Sequence, residues 1–293
     1  MKLSFSTNGW NGRSFPDFVS LAKSLGFSGL ELHDVLHTGW TQEGAPFHAE
    51  NAGRTSHLLF REGVRLACLD SVCDLSDAAR AAENEREIAA CIRLAHDFSV
   101  PFVRVRAQDG SDAGLAAAAA VVERALPAAV EREVTLLVET AGAFSDTAKL
   151  RDFLMRFSDD HLAALWDLHH PYFYGGEDPE TTIRNLGAYV RHVHVKDSAP
   201  APGGRAYCLV GEGELPLSDM IVALSSVNYD GYLSLEWNQA WMPELDDMEV
   251  VLTHFENHMR RFDTPKRSRP HHYKNRAGTG SYVWKKDALI DAT

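Results

Sequence analysis

Four side chains able to bind a metal or move a proton recur at the ends of short apolar runs in the second half of the chain. Glu139 closes Leu136-Leu137-Val138-Glu139, Asp167 closes Leu165-Trp166-Asp167, His194 lies in His192-Val193-His194-Val195, and Glu236 closes Leu233-Ser234-Leu235-Glu236. Their separations are 28, 27 and 42 residues. A single carboxylate at a strand end commonly meets solvent or caps the next helix. Four in succession are different, because three negative charges brought to one point repel one another unless a cation or shared protons compensate them. Two Glu, one Asp and one His form an O/N donor set for one divalent metal ion. The set suits Mn2+, Mg2+ or Co2+ better than a structural Zn2+, since no thiolate takes part.

Equivalent positions converge only if the elements carrying them repeat. Short apolar runs, several of them β-branched, at 3–7, 29–33, 64–69, 102–106, 134–139, 162–167, 190–195 and 232–236 alternate with helix-like stretches at 15–25, 52–62, 77–98, 115–131, 146–157, 179–186, 218–225 and 243–261. Eight strands, each followed by a helix, predict a single (β/α)8 TIM barrel, whose catalytic groups stand at the C-terminal ends of the strands. The first two separations are then one βα unit each, and the third is a unit enlarged by the loop 198–216. Ser145 or Asp146, and Asp178-Pro179, read as helix starts, and Gly26 as a left-handed helix end. The longest irregular insertions, 33–50 and 198–216, fall at the active end and are expected to act as lids. The barrel is assigned to residues 1–263, and 264–293 to a basic C-terminal extension or linker.

The composition, 45% hydrophobic and 24% charged over 293 residues, provides for a large core and excludes wholesale disorder. No apolar run approaches the roughly 20 residues of a membrane span, and the first residues lack a signal-peptide pattern, so a cytoplasmic protein is expected. Four cysteines without a C-x-x-C pair point to reduced thiols. The net charge of −12 argues against nucleic acid or anionic membrane as partner. Seven Lys/Arg against two Asp give 264–293 a net +5, leaving −17 for 1–263.

Other residues carry two readings each. His192 shares a strand face with His194, and a packed, hydrogen-bonded interior His explains it better than a second ligand does. Lys196 and Asp197 can orient substrate hydroxyls or pair with each other. His33 and Asp34, directly after the second strand, touch substrate or belong to a solvated loop. Arg104, Arg106 and Arg205 can grip a phosphate or carboxylate, although surface positions are the default for arginine. Trp10, Trp40, Phe47, Trp166, Trp237 and Trp241 offer rings for the apolar face of a sugar, or core packing.

Five motifs in order resemble the xylose isomerase-like sugar isomerase/epimerase barrels, a family that also includes ketose 3-epimerases, inosose dehydratase and endonuclease IV. They are Val138-Glu139-Thr140, Asp167-Leu168-His169-His170, His192-Val193-His194-Val195-Lys196-Asp197, Gly211-Glu212-Gly213-Glu214 and Gly231-Tyr232-Leu233-Ser234-Leu235-Glu236. The resemblance covers about residues 1–262. It implies that Glu139, Asp167, His194 and Glu236 bind the divalent metal (Mn2+, Mg2+, Co2+ or Zn2+), with His170 beside it facing substrate. It further implies that Glu139 and Glu236 are the catalytic proton-transfer pair on opposite faces of a ketose, working through an enediolate. Lys196, Asp197, His33 and Arg205 complete the expected set of substrate-binding residues.

The expected function is therefore a metal-dependent isomerase or epimerase of a small polyhydroxylated sugar or sugar phosphate. A dehydratase or lyase of the inosose dehydratase type uses the same α-proton abstraction and is the alternative. The DNA-repair branch needs more histidines than occur here, since Leu69-Asp70-Ser71 and Arg104-Val105-Arg106 stand at the ends of strands three and four. A non-catalytic barrel is a third reading. It draws on Gly280-Ser281-Tyr282-Val283-Trp284-Lys285-Lys286-Asp287-Ala288-Leu289-Ile290-Asp291, which resembles the entry segment of an acyl-adenylating domain and suggests a downstream adenylating partner. The basic tail has otherwise a −17 body to lie on, its own or that of a neighbour in a homo-oligomer.

Overall fold

Strand runs rich in Leu, Val and Ala belong to a parallel sheet buried on both faces, and a barrel achieves this by covering its outer face with helices and filling its interior with the strands' own side chains. The computed structural model describes residues 1–10, 12–243, 245 and 247–263 and has this arrangement. In chain order its strands are β1 (Lys2–Ser6), β2 (Gly29–His33), β3 (Arg65–Asp74), β4 (Phe102–Arg106), β5 (Thr135–Glu139), β6 (Leu162–Asp167), β7 (Val190–Val195), β8 (Asp197–Ala201), β9 (Gly204–Cys208) and β10 (Tyr232–Leu235). The helices are α1 (Phe15–Ser24), α2 (Ala52–Glu62), α3 (Ala81–Asp97), α4 (Asp112–Glu131), α5 (Thr147–Phe157), α6 (His169–Phe173), α7 (Pro179–Leu186), α8 (Leu217–Ser226) and α9 (Met248–Met259). Strands β1 to β7 and β10 pair in parallel and close a (β/α)8 TIM barrel, with β10 between β7 and β1.

Local chemistry sets the boundaries. Ser14 and Asp17 form a reciprocal capping box at the start of α1. Asp146 and Asp178 cap α5 and α7 as their positions predict, and Gly26 takes a left-handed φ of 80° after α1. The large core lies between strands and helices, where Phe5, Phe18, Leu30, Ile88, Phe144 and Trp166 are buried. Inside the barrel a small apolar layer of Leu137, Ala163 and Leu165, packed against Phe102, forms a separate cluster. All four cysteines are free. Helix α4 is long and apolar enough by composition to cross a bilayer; it buries Ala118, Val121, Val122, Ala125 and Ala129.

Several elements depart from the sequence reading, among them the short helix α6, which follows β6 where no helix was expected. The loop expected at 198–216 begins with the antiparallel hairpin β8–β9, hidden in the sequence by Pro200 and Pro202, which weaken a strand pattern. Its turn has Gly203 at φ 86°, a conformation that disfavours side chains with a Cβ. Strand β3 runs on to Asp74 with a register shift after Asp70. Helix α9 starts at Met248, where Asp247 accepts from the Glu249 N–H, and not at 243. The expectations for 264–293 lie outside the described residues.

Candidate metal centre

Adjacent strands bring the four sequence-selected groups together. Asp167 and His194 are register partners on β6 and β7, Glu139 ends β5, and the Glu236 N–H, one residue beyond β10, donates to the Val195 carbonyl at 3.1 Å. All four are buried, and one donor atom from each lies within 4.8 Å of the others. Thr140 locks two of the strand ends: its Oγ1 accepts from the Asp167 N–H at 2.9 Å and donates to the Asp167 carbonyl at 3.2 Å.

Each donor is aimed by what holds its other side. Asp167 Oδ1 accepts the N–H groups of His169 and His170 at 2.8 and 3.2 Å, which leaves Oδ2 for the centre. His194 Nε2 lies 2.8 Å from Glu31 Oε1, and its Nδ1 is 3.4 Å from Glu139 Oε1 and 3.9 Å from Glu236 Oε2. Glu139 Oε1 and His194 Nδ1 are buried and have no hydrogen-bond partner among the described residues. Glu139 Oε2 and Asp167 Oδ2 are met by ion pairs, with Arg104 Nη2 at 2.7 Å and Lys196 Nζ at 2.6 Å. A convergent set of carboxylate oxygens and an imidazole nitrogen, two of them orphaned, fits a divalent cation.

The charges are strongly coupled. Burial opposes ionisation of Asp167, but the His170 and Lys196 charges prevail and bring its pKa down to about 2. Burial also opposes the imidazolium of His194, yet the Glu31 charge, the nearby Glu139 carboxylate and the hydrogen bond to Glu31 raise its pKa well above the usual imidazole value. A cation would compete with that Nδ1 proton for one lone pair. Lys196 is buried with its ammonium on Asp167 and Glu236, 6.0 Å from the Tyr207 ring.

The remaining sequence-selected residues divide. His170 is half-buried beside the centre, its Nδ1 3.9 Å from Asp167 Oδ2. His33 hydrogen-bonds Asp70 through Nδ1 at 2.5 Å and borders a cavity of about 920 Å³ with Trp10, Arg13, Asp34, Trp40 and Asn238. None of the four central groups lines that cavity, which flanks the centre over the ends of β1, β2 and β10. Asp197 turns away: its carboxylate accepts the N–H groups of Ser198, Gly211, Gly213 and Leu215 at 2.8 to 3.1 Å, leaving it no free face for substrate. Arg205 is spent similarly on Ser198 and Glu214, with its guanidinium 3.7 Å above the Phe173 ring. Both residues hold the loop that places Tyr207 against Trp241, ring centroids 4.0 Å apart.

Arg104 is not the surface residue that arginine defaults to. It is buried, bridging Asp70 and Glu139 and donating to the Ser71 carbonyl at 3.2 Å. His192 is the hydrogen-bonded interior histidine its spacing suggests, 2.6 Å from Glu31 Oε2. Glu31 itself escaped the sequence reading. Its signal was a charge between Leu30 and Leu32 in a buried strand, a position that requires a partner.

A family model described as xylose isomerase-like TIM barrel matches residues 19–258. The chain belongs to this family. Among solved structures, this xylose isomerase-like barrel is similar to the probable 3-DHS dehydratase AsbF involved in the petrobactin synthesis from Bacillus anthracis, at 18% identity and TM-score 0.71, covering 89% of this chain and 99% of that one. It is also similar to D-psicose 3-epimerase from Clostridium cellulolyticum H10, at 14% identity and TM-score 0.71, with 89% and 98% covered. A third neighbour is the 3-keto-D-glucoside 4-epimerase YcjR from E. coli, at 15% identity and TM-score 0.66, with 84% and 97% covered. At these identities the likeness is one of fold. No curated protein sequence matches the chain.

Proposed function

We propose that this barrel is a divalent-metal-dependent isomerase or epimerase of a small polyhydroxylated carbonyl compound, acting by α-proton transfer. The observation that carries the reading is the convergence of Glu139, Asp167, His194 and Glu236, with Glu139 Oε1 and His194 Nδ1 orphaned inside it. Held by these four residues, the metal would act as a Lewis acid toward the substrate carbonyl and so acidify the neighbouring C–H. Glu139 and Glu236 come from β5 and the end of β10, the outer members of the run β5-β6-β7-β10, and so approach a bound ketose from two sides. One carboxylate removes the α-proton and the other returns a proton to the opposite face, which inverts the centre. Lys196 and His170 donate to substrate oxygens as negative charge develops there, and Tyr207 with Trp241 excludes water.

A lyase reading is favoured by one separate observation, the His33–Asp70 pair on the cavity flank, which can protonate a departing β-hydroxyl. The epimerase and dehydratase neighbours are compatible with either chemistry. Two experiments test the proposal. Mn2+ at about 100 times its Kd should stabilise the protein by about 2.7 kcal/mol, and Asp167→Asn should abolish the effect. A panel of ketoses and inososes in deuterated water should show solvent isotope entering the α-carbon, with Glu139→Gln and Glu236→Gln each lowering the exchange by orders of magnitude. Unchanged metal stabilisation in Asp167→Asn, or turnover without solvent isotope, would overturn it.

A further inference from the structure

Behind the centre lies a second buried cluster that shares only His194 with it. Glu31, His192 and His194 are all fully buried, and their donor atoms lie within 4.8 Å of one another. Both imidazoles present Nε2 to the same carboxylate: His192 to Oε2 at 2.6 Å and His194 to Oε1 at 2.8 Å. An ionised carboxylate only accepts, so each Nε2 carries the proton. For His194 this settles which nitrogen faces forward. Nδ1 lies between Glu139 and Glu236 and finds no donor there among the described residues.

We infer that Glu31 is a positioning residue for the metal centre: it fixes the Nε2–H tautomer and the ring orientation of His194, so that a bare Nδ1 is aimed at the cation. The inference rests on the metal-binding reading above. His192 is part of the device. By occupying the second oxygen of Glu31 it prevents that carboxylate from rotating, and its own Nδ1 is buried without a partner among the described residues. A carboxylate behind a ligating imidazole also makes the ring a better donor, and losing such a partner typically weakens metal binding by about 10- to 100-fold.

Two substitutions separate aim from charge. In Glu31→Gln the amide oxygen can still accept from His194, while the amide nitrogen donates to His192 once that ring moves its proton to the free Nδ1. Ring aim is then kept and the charge is lost. Glu31→Ala removes both. Titration of the full-length, metal-free protein with Mn2+ should give a loss of about 10-fold for Glu31→Gln and about 100-fold for Glu31→Ala. Ile88→Val, a core truncation on α3, should lower stability and leave Mn2+ affinity unchanged, which a merely structural role for Glu31 would not distinguish.

Histidine 15N–1H correlation spectra provide a readout independent of metal and of activity. The wild type should show a hydrogen-bonded Nε2–H on His194 that persists in Glu31→Gln and disappears in Glu31→Ala, and its Mg2+-loaded form should carry no proton on Nδ1. Wild-type Mn2+ affinity in both Glu31 variants, or an Nδ1-protonated His194 in the loaded protein, overturns the inference. If the wild type binds no Mn2+, the metal reading fails, and absence of the protected Nε2–H would then refute the role of Glu31 separately.

Discussion

Replacing Arg104 by methionine removes the one guanidinium that serves two buried carboxylates, Asp70 and Glu139. Arg104 is 3% exposed, and its partners 2% and 1%. Breaking a buried ion pair by deleting one member costs about 3–5 kcal/mol, because the other charge stays desolvated. Two carboxylates are stranded here, but each keeps a second contact: Asp70 with His33 at 2.5 Å, and Glu139 with His194 at 3.4 Å. The expected loss is therefore that of one pair, about 4 kcal/mol, a large share of a typical stability of about 5–15 kcal/mol. For a domain of this size it corresponds to a fall of roughly 10 °C in Tm. Urea unfolding at neutral pH with chelator present measures it, and adding Glu139→Gln to Arg104→Met should recover part of the loss. A loss below about 1 kcal/mol would show that Asp70 and Glu139 are solvated or share protons, and the charge reading of the whole centre would fall with it.

The other predictions concern the two flanks. Burial lowers the His33 pKa, but the hydrogen bond and charge of Asp70 outweigh it, so His33 should titrate above the ordinary imidazole value by NMR and return toward it in Asp70→Asn. Its folded pKa being raised, the pair stabilises the protein fully below the unfolded pKa of about 6.5 and loses that contribution as pH rises through the folded value. A His33 titration unchanged in Asp70→Asn would refute this. Asp197→Ala should release the loop 198–216, with faster hydrogen exchange at Gly211, Gly213 and Leu215 and altered Trp241 fluorescence as Tyr207 loses its support. Exchange at those amides as slow as in the wild type would show that the loop does not depend on Asp197.

The barrel was legible because its evidence repeats. Gly29–His33, Phe102–Arg106, Leu162–Asp167 and Val190–Val195 fall where their short apolar runs place them, and each is mostly buried, as parallel strands under covering helices are. Hairpin β8–β9 was not legible, since two prolines and two glycines within its twelve residues read as loop, and the chain beyond it is tied back by the Asp197 carboxylate, which collects backbone N–H groups as far as Leu215. A Cβ at Gly213 would stand 2.1 Å from Asp197 Oδ1, so the glycine in that turn is demanded by this side chain and not by turn geometry alone.

The centre divides along the same line. Glu139, Asp167, His194 and Glu236 announce themselves because parallel register puts one position of each unit at one height. Glu31 and Arg104 do not: Glu31 meets His192 and His194 across the barrel, at 161 and 163 residues' distance in sequence, and Arg104 departs from the surface default by sitting buried between Asp70 and Glu139 on the neighbouring strands β3 and β5. The count of charges then changes its meaning. The sequence motifs present three acids awaiting one cation, whereas the folded interior holds five, Glu31, Asp70, Glu139, Asp167 and Glu236, against the two fixed cations Arg104 and Lys196. Arg104 is committed to Asp70 and Glu139. Lys196 is committed to Asp167 and Glu236. With His33 and His194 both neutral the interior is therefore three charges short of balance, an excess that a low-dielectric site sustains only with a further cation or bound protons. That deficit, invisible until Glu31 and Asp70 are seen to face inward, is a stronger physical reason for a divalent ion than the four motif residues provide by themselves.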